Sequence, residues 1–228
     1  MRVSFRAVLL FALAASGVSP AIAAVETYSF AGYIDRIFTS TNGSPISYIG
    51  SSNIEGKSFA TGGAITGTFS YDSAAPVYSS STNSSGDKFT FYPALISLSI
   101  KTGNLAYTIP SVSNLVTVGN FQSSLATGAL FSGSTWTPLV YQSASVWVYN
   151  SNGKFTGSTN LPSSMSLTDF NYSTVSYAYI DSTTKVQTQI AANVTNLIQL
   201  KPVPEPKAYA ILLAGMTVVG WTVRRRKK

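Results

Sequence analysis

Cysteine and histidine are both missing from the 228 residues, and charged side chains make up only 10% of them. Without cysteine there is no disulfide framework and no thiolate to act as nucleophile or metal ligand. Without histidine there is no imidazole to work as general base or zinc ligand near neutral pH, so a Ser–His–Asp arrangement is excluded. Ordinary soluble domains are about one quarter charged, so Ser, Thr, Asn and Gly must make most of this surface. The formal charge of +7 belongs to the two ends. Setting aside Arg2, Arg6, Lys207, Arg224, Arg225, Arg226, Lys227 and Lys228 leaves 7 basic against 8 acidic residues. With a middle of net charge −1, the basic stripe that nucleic acid needs is missing.

What is there begins with an export signal. Arg2 and Arg6 form a short positive region, and Ala7–Ala15 (AVLLFALAA) is an unbroken apolar stretch. The breakers Gly17 and Pro20 precede a small-residue site, Ala21-Ile22-Ala23. This order predicts a signal peptide over 1–23, cleaved by signal peptidase after Ala23. At the other end, Ala208–Val223 carries no charge and runs into Arg224-Arg225-Arg226-Lys227-Lys228. As a helix that stretch rises about 24 Å, and Lys207 and Arg224 can snorkel to the edges of the hydrocarbon core of about 30 Å. The five cations are expected to act as a stop-transfer signal and stay cytoplasmic. Between domain and span lies Val203-Pro204-Glu205-Pro206. Each proline fixes φ and removes a donor, so residues 202–207 are expected to form an extended linker that a protease can grip.

The order VPEP, short apolar helix with Leu212-Leu213-Ala214-Gly215 and Gly220, then Arg-rich end closely resembles the PEP-CTERM sorting signal of exported proteins in Gram-negative bacteria. The resemblance covers about Val203–Lys228, with Lys207 standing where members often carry a small or hydroxyl residue. It implies recognition by exosortase, an integral-membrane cysteine transpeptidase-like enzyme that processes such tails near the motif. Carried over, Pro204, Glu205 and Pro206 are recognition residues and Arg224–Arg226 the retention signal, and the mature protein goes to the cell surface or extracellular matrix. The phrases Ala64–Asp72 (AITGTFSYD) and Thr27–Phe30 also resemble wording in the exported parts of such proteins.

Residues 24–201 are expected to form one exported domain. Its period is two. Ile96, Leu98 and Ile100 alternate with serines, and after Thr102-Gly103-Asn104 so do Leu105, Tyr107 and Ile109 with Ala106 and Thr108. Ile65, Gly67, Phe69 and Tyr71 share a face, Val146 and Val148 lie opposite Trp147 and Tyr149, and Tyr28, Phe30, Gly32 and Ile34 repeat the habit. So do Val175, Tyr177 and Tyr179, and Val186, Thr188 and Ile190. Loop chemistry is expected at Asn42-Gly43, Gly62-Gly63, Ser84–Asp87, Gly119-Asn120 and Asn152-Gly153. The fold class expected is all-β, an antiparallel two-sheet sandwich of jelly-roll type, with an N-terminal signal helix and a C-terminal transmembrane helix.

Little in this domain suggests catalysis. No S-x-x-K context supports a Ser–Lys dyad at Lys57, Lys88, Lys101, Lys154 or Lys185. Glycoside hydrolysis needs two carboxylates at a set separation. The acids Glu26, Asp35, Glu55, Asp72, Asp87, Asp169 and Asp181 mostly sit beside turn residues, and Asp72 would be tested first. No calcium-loop motif exists, and only Asp87 near Asn83 offers a loosely suitable loop. Trp136, Trp147 and Tyr149 are candidates for stacking on sugar rings, against the plainer role of filling cross-strand pairs. The expectation is a non-enzymatic surface or matrix protein without cofactor or metal. Its partners would be signal peptidase, exosortase, the membrane while it is a precursor, and exopolysaccharide. A carbohydrate-binding module or carbohydrate-active enzyme on the same anchor is the alternative.

Overall fold

Two long strands make the spine of the structure, a computed structural model that describes residues 25–109, 114–121, 126–152 and 159–200. Strand β1 (Val25–Thr41) pairs antiparallel with β14 (Val186–Leu200), from Thr27 opposite Leu200 to Thr41 opposite Val186. Both are rich in β-branched residues, and β1 in aromatic ones too, which suit a pleated, half-buried surface. Two register shifts, at Ala31/Gly32 and at Ile34/Arg36, interrupt the pairing. Such bulges bend a strand and raise its twist. At the first, a Cβ on Gly32 would stand 1.9 Å from the Asn193 carbonyl oxygen, so only glycine fits. At the second, Asp35 is the extra residue, and Ile34 and Ile37 both reach the core although three positions apart.

The remaining strands among the described residues extend this pair. In chain order they are β2 (Ser47–Ile49), β3 (Ser51–Ile54), β4 (Lys57–Ala60), β5 (Ala64–Asp72), β6 (Ser79–Thr82) and β7 (Lys88–Tyr92). There follow β8 (Leu95–Thr102), β9 (Leu105–Ile109), β10 (Asn114–Phe121), β11 (Ala126–Trp136), β12 (Val140–Asn150) and β13 (Tyr172–Asp181). The main sheet runs β6-β7-β10-β11-β12-β13-β14-β1-β5-β8-β9, with β2 paired to β1, and β3 and β4 form a separate ribbon. Every pairing is antiparallel. The facing layers expected of a sandwich are therefore parts of one hydrogen-bonded sheet that folds over, bringing β8 and β9 against β10, β11 and β12.

Aromatic rings fill the fold-over. Phe131 of β11 lies 4.6 Å from Phe69 and 4.9 Å from Tyr71 of β5, ring centre to ring centre, and all three side chains are fully buried. Tyr107 of β9 meets Tyr177 of β13 at 5.1 Å. Full burial of each such ring contributes about 1.5–3 kcal/mol from its apolar area. Tyrosine hydroxyls also pin the connection that crosses one side of the fold. Tyr71 donates to the Pro162 carbonyl at 2.7 Å and Tyr92 to that of Thr159 at 2.7 Å, while the Met165 N–H donates to the Tyr28 hydroxyl at 2.9 Å.

The alternation read from the sequence holds for Tyr28, Phe30, Ile34, Ile65, Phe69, Tyr71, Val146, Val148, Val175, Tyr177, Thr188 and Ile190, all buried. Two positions differ. Ile96 is exposed, because a register shift pairs Tyr71 with Leu95 and turns Leu95 inward in its place. Gly119-Asn120, expected in a loop, lies within β10 with Gly119 opposite Gly128. There the glycine makes room for an aromatic ring, since a Cβ would come 3.1 Å from Phe121. Among the described residues no helix is long and apolar enough to cross a membrane. The expected signal peptide, linker, span and basic end lie outside the described residues.

Candidate functional site

Along β12 the odd-numbered residues Tyr141, Ser143, Ser145, Trp147 and Tyr149 face away from the core, because Ala144, Val146 and Val148 are buried on the other side. Register carries this outer face across the sheet in rows. Leu130 is opposite Trp147, which is opposite Thr174, which is opposite Asn193. The next row joins Ser132, Ser145, Ser176 and Ala191, and the one beyond it Ser134, Ser143, Ala178 and Gln189. In the other direction Gly128, Tyr149 and Tyr172 align.

Five rings form a band over one end of these rows. Phe89 meets Phe121 at 5.5 Å, Phe121 meets Tyr149 at 5.9 Å, and Trp147 lies 6.0 Å from Tyr149 and 6.2 Å from Tyr172. All four contacts are edge-to-face, the arrangement that the ring quadrupole favours. The band is fitted closely to the strand beneath it: a Cβ on Gly128 would stand 3.4 Å from the Trp147 indole nitrogen. Its open end is a cleft of about 490 Å³ lined by Trp147, Tyr149, Ser151, Asn171 and Tyr172. The cleft is shallow and widely open to solvent. Trp147 is 40% and Tyr172 49% exposed.

The polar rim of the cleft is held in place. The Asn171 amide donates to the Ser151 hydroxyl and accepts the Ser151 N–H at 3.1 Å, and the Asn171 N–H donates to the Tyr149 carbonyl at 3.2 Å. Among the described residues no charged side chain lines this cleft. Beside it on the same face lies a second depression of about 450 Å³, floored by Ser132, Ser134, Ser143, Ser145 and Ser176. A third, of about 170 Å³, shares Tyr172 with the cleft and ends at the Asp35–Arg36 ion pair, 2.7 Å long.

The acids are occupied elsewhere. Asp72 accepts the Ala74 N–H at 2.9 Å and so closes the turn after β5. Asp181 accepts the N–H groups of Thr184 and Thr183, which hold its carboxyl below the usual aspartate range. Asp169 accepts the Ser166 N–H at 2.7 Å in a single 3₁₀ turn, Leu167–Asp169. Glu26 accepts from Gln199 at 2.6 Å and Glu55 from the Tyr179 hydroxyl at 3.4 Å. Asp87 accepts from the Asn83 amide at 2.9 Å, and Asn83 in turn accepts the N–H groups of Ser85 and Asp87. The loop at Asn83–Asp87 is thus closed by its own side chains. Among the described residues no three carboxylates gather at one place.

Of the aromatics singled out from the sequence, the structure brings Trp147 and Tyr149 together and leaves Trp136 apart. Trp136 sits at the β11–β12 turn, 74% exposed. Leu130, the partner of Trp147, is six residues from it, about 20 Å along the strand. Tyr172, Phe121 and Asn171 went unnoticed in the sequence because they arrive from other strands and from the far side of the long 151–171 connection, and Ser151, two residues after Tyr149, carries no signal of its own. Lys57, Lys88 and Lys101 are placed on β4, β7 and β8 and Lys185 in the β13–β14 turn, while Lys154 lies outside the described residues. The sorting residues Pro204, Glu205 and Pro206, the cations Arg224–Lys228 and the cleavage site Ala21 and Ala23 lie outside them too. Comparison with protein-family models, with curated proteins and with solved structures yields no match.

Proposed function

We propose that this chain is an exported, non-enzymatic protein of the cell surface or extracellular matrix, sorted by a PEP-CTERM tail and processed by exosortase. The observation that carries the reading is the tail: Pro204-Glu205-Pro206, the uncharged Ala208–Val223 and the cations Arg224–Lys228, in that order. Signal peptidase removes residues 1–23, the 208–223 helix holds the precursor in the inner membrane, and cleavage near the motif releases residues 24–201. The folded-over sheet then serves as a jelly-roll-like structural domain associated with exopolysaccharide.

Two features of the described residues support it. Thr27 pairs with Leu200, so the chain enters and leaves the sheet at the same end, as suits a domain held beside a membrane. All seven described acids have a local or cross-strand partner, which supports a structural role for them over a catalytic pair.

The test compares the intact mass and location of the mature protein with those of a Pro204→Ala/Glu205→Ala/Pro206→Ala variant. The wild type is expected to lose the tail and leave the inner membrane, and the variant to keep it and stay. If the wild type also retains residues 207–228 and remains in the inner membrane, the sorting reading is wrong.

A further inference from the structure

We infer that the cleft formed by Trp147, Tyr149 and Tyr172 binds a neutral polysaccharide chain, an interaction that goes beyond the sorting reading and stands or falls separately from it. Pyranose rings have an apolar face of C–H bonds and a rim of hydroxyls. The cleft has the counterpart of each. Trp147 and Tyr172, 40% and 49% exposed and 83° apart in plane, form two walls at a corner, so a ring stacked on one presents its edge to the other. The Ser151–Asn171 bridge sets a hydroxyl and an amide at the rim, already fixed before any ligand arrives.

The polymer, as against a single sugar, is argued from what adjoins the cleft. The serine-floored depression begins one row away, because Leu130 and Ser145 of its lining flank Trp147 in the register. A chain anchored at Trp147 therefore continues over Ser132, Ser145 and Ser176, whose hydroxyls both donate and accept as sugar hydroxyls do. Among the described residues neither depression has a charged lining residue. Among them the cation of the neighbouring depression is Arg36, already paired with Asp35, so the neutral polymer is favoured.

The experiment uses the full chain in a zwitterionic detergent, which avoids sugar headgroups, with cellohexaose, laminarihexaose and dextran as neutral probes and polygalacturonate as the acidic one. Calorimetry and tryptophan fluorescence are expected to detect binding of at least one neutral probe. Trp147→Ala and Tyr172→Ala should each weaken it by about tenfold or more, Trp147→Phe should restore part of it, and Trp136→Ala should leave it unchanged. Circular dichroism checks the fold of each variant. Should Trp147→Ala not fold, Tyr172→Ala carries the test, since half of that ring is already in water. No neutral probe binding at about 10 mM, binding to polygalacturonate alone, or binding that survives both alanine variants would overturn the inference.

Discussion

The three tyrosine hydroxyls that pin the 159–165 connection should differ in worth, in an order the structure sets. Tyr28→Phe leaves the Met165 N–H, at a buried residue, with no acceptor. An orphaned buried N–H is the rarer and more costly case, about 2–3 kcal/mol. Tyr71→Phe leaves the carbonyl of buried Pro162, a group that tolerates under-satisfaction better, at about 1–2 kcal/mol. Tyr92→Phe frees the Thr159 carbonyl, only half-buried and able to recruit water, at about 0.5–1 kcal/mol. Urea unfolding of the three variants measures these costs, and melting temperatures should fall by about 2–4 °C per kcal/mol for a chain of this size. Amide exchange at Met165 should accelerate most in Tyr28→Phe. If all three variants lie within about 0.5 kcal/mol of the wild type, or if Tyr92→Phe is the costliest, the hydroxyls do not hold the connection.

Alkali should unfold the protein through the same residues. Burial raises the phenols of Tyr28, Tyr71 and Tyr177 above the ordinary tyrosine range, so their stabilising effect is complete below about pH 10 and declines as pH rises beyond it. Each should cost about 1.4 kcal/mol per pH unit there, and tyrosinate absorbance should show a group of phenols ionising only as the fold is lost. A smooth titration of every tyrosine in the folded state would refute this. Steric fit makes a separate prediction: a Cβ on Gly67 would stand 2.1 Å from the Ser99 carbonyl and 2.3 Å from the Phe30 ring. Gly67→Ala should therefore force β8 away from β5 at about 3 kcal/mol or more, whereas Gly50→Ala, with nothing within 4 Å, should stay within about 0.5 kcal/mol in the same denaturant assay.

Period-two patterning made most of the strands legible, because each has one dry face and one wet one. The hairpin at Gly103-Asn104 follows from the sequence, since Thr102 pairs with Leu105 across those two residues and Gly103 takes φ of +52°. Bulges escaped it. Nothing local to Ile96 says that Leu95 will take the inward place; only the pairing with Tyr71 does. Gly119 looked like a turn because its contact, the ring of Phe121, is a matter of side-chain placement and not of chain direction. The aromatic site was half visible, since Trp147 and Tyr149 are two apart on one strand. Tyr172 reaches them only through the β12–β13 register, a long-range pairing that no local pattern encodes.

The proposed address and the proposed binding site lie on different parts of the molecule, and that separation has a consequence. The chain leaves the sheet at Leu200, next to Thr27. The row containing Trp147 crosses β14 at Asn193, seven residues away, about 23 Å along the strand. The cleft opens on the outer face of the sheet, at the β12–β13 end that lies towards Leu200, and no described residue of β14 lines it. If residues 208–223 hold the precursor in the membrane as proposed, cutting the tail removes none of the residues described as lining the cleft. Glycan affinity should then be the same for the membrane-held precursor and for the processed protein, so that capture of polymer can begin before release. A cleft that bound only after cleavage would require a contact between tail and outer face, and would break this separation.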